Sequence, residues 1–206
     1  MSRRDEPPSL TDAQRNEVID ATRNWLEKAV IGLNLCPFAK AVHVKAQIRY
    51  AVSDARTEDE LLDDLVRELK HLAAADPGDI ETTLLIHPFA LADFLDFNDF
   101  LDAADAALDD LDLTGEIQIA SFHPRYQFAG TQPDDIENYT NRSPYPILHL
   151  LREASIERGM TAFPDAAQIF EKNIDTLARL GHEGWSKLDV GPPSVAGAPG
   201  SRTEKD

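Results

Sequence analysis

The chain has 206 residues, 42% of them hydrophobic, and a formal net charge of -17, which is apolar material for one sizeable core and not for a second independent domain. That charge sets the protein against nucleic-acid backbones and acidic membranes, because both repel it before a specific contact can form. No run approaches the roughly 20 apolar residues of a membrane span, no apolar stretch follows Arg3 and Arg4 as in a secretion signal, and the single cysteine, Cys36, has no internal disulfide partner, so the expected location is the cytoplasm.

Residues 1–10 are charged and contain prolines, and residues 186–206 are rich in Gly, Pro, Ser and charge, so both ends are expected to be disordered around one domain over 11–185. Val18, Thr22, Trp25 and Ala29, flanked by Ile19, Leu26, Val30 and Leu33, recur at helical spacing and predict an amphipathic helix that stops at Cys36-Pro37. Alternating apolar residues predict a strand over 47–52. Thr57 and Glu60 then have the spacing of a capping box, ahead of Leu61, Leu65, Leu69 and Leu72 on one helical face. Residues 82–86 read as a short buried strand ending at His87-Pro88. The next helix carries Phe94, Phe97, Phe100, Leu101, Ala104 and Leu108, and a strand over 116–122 ends at His123-Pro124.

This alternation predicts an α/β fold, a small mainly parallel sheet of about three to four strands flanked by about five helices, joined by right-handed crossovers. After a polar loop, Ser143 is placed to cap a helix over 144–159, and a last helix over 164–180 is closed by Gly181.

The sharpest chemical feature is the matched pair His87-Pro88 and His123-Pro124. Proline biases the residue before it to extended geometry and removes the amide that would continue the ladder, so each histidine sits at a strand end. If the two strands are parallel neighbours about 4.8 Å apart, the imidazoles can share a divalent transition metal, a water or a substrate at the edge where open α/β sheets bind ligands. The plainer reading is that each histidine orders nearby loop backbone. On the predicted helix after Ser143, His149, Arg152 and Glu153 share one face, and a His with a Glu four residues later supplies two metal ligands or an acid–base pair. Arg142 and Arg152, with Asn141, Ser143 and the helix start, are candidates for gripping an anion. Tyr126, in an irregular aromatic stretch with Phe128 and Gly130, is a candidate to cover the site. Cys36 is a peripheral candidate, read first as a buried, inert thiol. Aspartates 93, 96, 99, 102 and 105 repeat every third residue, which drifts around a helix, and are read as a solvated face with Asp93 near the helix start. The Walker, dinucleotide-binding, nucleophile-elbow and zincin motifs are missing from the sequence.

Three segments, 81–101 with Leu85-Ile86-His87-Pro88, 118–130 with Phe122-His123-Pro124, and 141–156 with Asn141-Arg142-Ser143-Pro144-Tyr145-Pro146, resemble a bacterial family known as domain of unknown function 1415. Cys36-Pro37-Phe38-Ala39 resembles it too. The resemblance runs from the first helix to Gly181 and implies no activity, substrate or cofactor.

Three functions are expected to compete. The first is an enzyme on a small polar or anionic molecule, with His87, His123, His149 and Glu153 as metal ligands or acid–base groups and Arg142 and Arg152 holding the substrate. The second is a non-catalytic module that binds an anionic metabolite through the two arginines. The third is an acidic protein that meets a basic partner, for which the strand-end edge should be packed with side chains.

Overall fold

In the computed structural model, which describes residues 9–162 and 168–191, four strands form one sheet in the order β1 (Ile48–Val52), β2 (Thr82–Ile86), β4 (Ile147–Arg152), β3 (Ile117–Phe122). β1 and β2 pair parallel, while β4 runs antiparallel to both β2 and β3. The α/β class holds, with a correction: the sheet is mixed, and two of its three ladders are antiparallel. The three strands read from the sequence do share one direction. A fourth strand is inserted between the second and third, where the sequence predicts a helix.

The reason for that misreading is chemical. Ile147-Leu148-His149-Leu150-Leu151 is apolar on both sides because β4 is a central strand covered on both faces, and such a run cannot be told from a buried helix by periodicity. Ser143 therefore caps no helix, and its hydroxyl donates to the carbonyl of Tyr145. The helix starts later, as α5 (Glu153–Ala162).

One sheet face is covered by α3 (Glu58–Ala74) and α4 (Phe94–Asp110). Both helices start as the sequence implies: Thr57 and Glu60 form a capping box, and Asp93 accepts from the Leu95 amide. Leu61, Leu65, Leu69, Phe97 and Ala104 pack there against Leu85, Leu148 and Leu150.

The other face is covered by α1 (Asp12–Trp25), which runs on into a π-helical turn at Leu26–Ile31, and by the short α2 (Ala39–Val44), an element unmarked in the sequence. Trp25, Leu26 and Val30 pack against Leu84, Ile86 and Ile147. The Trp25 indole also donates to the carbonyl of Arg142 at 2.8 Å. A two-turn 3-10 segment, Ile136–Asn141, packs on α6 (Ile169–Ser186), whose helical path breaks at Gly181 with φ 62°.

The expected tails lie mostly outside the described residues, as does 163–167 at the start of the last predicted helix. Where the ends are described they are tied down. The Leu10 amide donates to Asp54, and Val190 is buried beside Trp25, with Asn24 and Lys28 donating to the carbonyls of Asp189 and Leu188. The described structure thus continues past 185, with Leu188 and Val190 packed against the cluster around Trp25. Among the described residues no helix is long and apolar enough to cross a membrane.

Candidate functional site

His87 and His123 stand at the same sheet edge, but they are not on neighbouring strands: Ile147 of β4 pairs with both Ile86 and Phe122. The separation of the strand ends becomes two spacings, about 10 Å. The Phe97 ring fills it, 5.7 Å from the His87 ring and 5.1 Å from that of His123.

Both histidines are essentially buried, at 0% and 1% exposure. His87 Nδ1 donates to the carbonyl of Ala90 at 3.1 Å, which leaves Nε2 as a buried acceptor without a hydrogen-bond partner. His123 Nε2 donates to the carbonyl of Leu91 at 3.2 Å, and its Nδ1 accepts the Arg125 amide at 3.0 Å. Burial pushes both imidazoles down to about 4, outweighing the carbonyl bonds that favour protonation. The pair therefore orders the loop that follows β2.

This geometry lends no support to the expectation of a shared metal or acid–base centre. The two rings together offer one bare nitrogen, and no group of three or more His, Cys, Asp or Glu side chains among the described residues is placed to hold a metal ion.

The remaining polar candidates are also corrected by β4. Because side chains alternate along a strand, His149 and Arg152 face opposite sides of the sheet. Four residues of strand advance about 13 Å, so Glu153 at the start of α5 is no i+4 partner for His149. Arg152 reaches the end of α3 and donates to the carbonyls of Leu72, Ala75 and Ile80. Arg142 donates to the carbonyls of Tyr126 and Pro133 and lies over the Tyr139 ring at 4.1 Å. Asn141 donates to the Ser121 carbonyl, and Tyr126 packs its ring on Phe94 and Phe128. Arg142, Asn141, Ser143 and Tyr126 together stitch the 123–146 loop rather than outline an anion site.

His149 and Cys36 do share one environment, away from the strand ends. Both line a cavity of about 350 Å³ between the sheet and the wall made by α1, the π turn and α2. The lining is mainly apolar: Leu84, Ala120 and Phe122 from the sheet, Leu26, Val30 and Phe38 from the wall. Gly159 lets α5 close one side, since a Cβ there would sit 2.7 Å from the Phe38 ring.

His149 is enclosed by protein yet keeps some surface towards this space, and burial pushes its imidazole down to about 4. Its Nε2 lies 2.8 Å from Thr82 Oγ1, which is 2.6 Å from the Leu150 carbonyl. Cys36 Sγ accepts from the backbone at Phe38 and Ala39, but burial outweighs these bonds and holds the thiol above its ordinary value. This favours the protonated thiol as a lining group of the cavity. The sequence does not single out Thr82 or the apolar lining; Ala120, a small side chain in a half-buried strand, is the one signal that a gap lies above it.

The family model for a protein of unknown function, DUF1415, matches residues 17–187. The chain belongs to that family. No curated protein and no solved structure matches it. Family membership brings no activity, so function rests on the cavity and on the groups that line it.

Proposed function

We propose that this DUF1415 protein binds a small, predominantly apolar molecule in the cavity between the sheet and the wall of α1, the π turn and α2. The observation that carries the reading is the cavity itself: about 350 Å³ with apolar walls and the ring of His149 at its surface. Small-molecule sites of about 300–1,000 Å³ have this make-up, apolar walls with a few convergent polar groups.

The enzyme reading for a polar or anionic molecule at the strand ends draws no support from this geometry, because those histidines are buried and bonded to loop backbone. The anion-binding reading is weakened in the same way, since Arg142 and Arg152 donate to backbone carbonyls. The packed strand-end edge is what the partner-binding reading expects, but that reading has no use for a cavity on the opposite face.

Ala120 sits on the cavity floor, and Ala120→Leu is chosen to fill it. In ligand-observed NMR, apolar fragments should bind the native protein and lose most of that binding to a folded Ala120→Leu variant. Equal binding to both, or none to the native protein, would sink the reading.

A further inference from the structure

Thr82 and His149 determine what kind of molecule the cavity takes; the inference rests on the cavity being the ligand site. The Thr82 hydroxyl has one proton, and its 2.6 Å contact with the Leu150 carbonyl requires that proton to lie between the two oxygens. Thr82 Oγ1 can then only accept from His149 Nε2, 2.8 Å away. The imidazole is therefore fixed as the Nε2–H tautomer, and its Nδ1 carries a bare lone pair. None of the protein's hydrogen bonds reaches that nitrogen among the described residues, and it is not one of the buried unsatisfied atoms, so it keeps contact with the open space.

A bare acceptor in an apolar cavity requires a donor from the ligand. The lining also disfavours anions. Its one cationic residue among those described, Arg152, turns its guanidinium to the far face of the sheet, and the acidic residue of the lining, Glu81, holds the guanidinium of Arg158. We infer that the cavity selects a neutral, largely apolar molecule bearing one O–H or N–H donor, which is delivered to His149 Nδ1, and that Thr82 is the residue that positions this acceptor.

The test uses three probes of one shape, 1-naphthol, naphthalene and 1-naphthoate, titrated into the full chain by calorimetry. It is joined to the nitrogen NMR shifts of His149 in the native protein. Naphthol should bind about tenfold more tightly than naphthalene, one neutral hydrogen bond, with naphthoate the weakest. His149→Phe should erase the preference for naphthol over naphthalene. Thr82→Val should shrink it and let the ring change tautomer. In the native protein Nδ1 should show the unprotonated shift and Nε2 the protonated one, a result that needs no variant to fold. Naphthalene binding as well as naphthol, naphthoate binding best, or a proton found on Nδ1 would overturn the inference and leave the cavity reading standing. Failure of all three probes to bind would overturn both.

Discussion

Phe97 stacks on His87 with ring centroids 5.7 Å apart and planes inclined by 25°. The contact seals a histidine whose Nε2 has no partner. A buried imidazole of this kind stabilises the fold only while it is neutral.

Acid should therefore weaken the fold well above the carboxylate range. His87, His123 and His149 are held down at about 4 against an ordinary value of 6.5. Above 6.5 both folded and unfolded chains carry them neutral, and nothing is lost. Between 6.5 and about 4 the unfolded chain binds protons that the folded one refuses, so stability falls with pH, by at most ~1.4 kcal/mol per pH unit for each ring. Below about 4 these groups add no further loss. Urea midpoints measured from pH 7 to pH 4.5 should show the decline. His87→Asn, which keeps a donor for Ala90 but cannot be protonated, should make it shallower. An unchanged slope in that variant would show that His87 is not one of the groups responsible.

Arg152 is expected to be a stability residue. Its guanidinium donates to three carbonyls, those of Leu72 and Ala75 at the end of α3 and of Ile80 before β2, where the carbonyls of a helix's last turn run short of intrahelical partners. Arg152→Met should cost roughly 2 kcal/mol in urea unfolding, the loss of charge-assisted bonds to partly buried acceptors. Full stability in that variant together with lost affinity for an anionic ligand would return Arg152 to the binding role expected from the sequence.

Arg49 on β1 and Glu68 on α3 form a two-pronged pair at 2.7 and 3.0 Å, and the Glu68 side chain is only 7% exposed. Glu68 raises the Arg49 guanidinium above its ordinary value through this hydrogen bond. Removing Arg49 alone strands a buried carboxylate, so Arg49→Met should cost about 2 kcal/mol, discounted from the 3–5 of a fully buried pair because Arg49 is partly exposed. The double change Arg49→Met with Glu68→Leu should recover much of that loss. A double variant as weak as the sum of the singles would show that the two side chains act independently.

What the sequence made legible was the part of the fold written locally. The Thr57 and Asp93 caps and the His-Pro pairs after β2 and β3 each mark a boundary within a few residues. β4 is the exception, and its consequences spread. A run apolar on both sides fits a helix or a central strand equally well, and the choice of helix placed His149, Arg152 and Glu153 on one face when strand parity sets His149 and Arg152 apart. With a helix there, nothing separates β2 from β3 in the sheet, and their histidines become a candidate centre. The cavity was beyond reach for a different reason: it depends on where a π turn, a two-turn helix and Gly159 come to rest over Ala120, and no local motif encodes that meeting.

Gly32 links the π turn to the cavity and gives the last prediction. Its amide donates to the Glu27 carbonyl five residues back at 3.0 Å, the mark of a π turn. Its backbone angles, φ -63° and ψ -37°, are ordinary for a helix. By dihedral alone, Gly32→Ala should stabilise the chain by about 1 kcal/mol. The close approach reverses that sign, because a Cβ at Gly32 would lie 2.3 Å from the Lys28 carbonyl oxygen, which is backbone and cannot swing aside. The expected outcome is a lower melting temperature for Gly32→Ala. The π turn should relax towards a regular helix and rotate Leu26 and Val30, which line the cavity, so apolar fragments that bind the native protein should bind the variant more weakly. A raised melting temperature with fragment binding intact would mean that the turn accommodates a methyl group at Gly32 without moving the cavity wall.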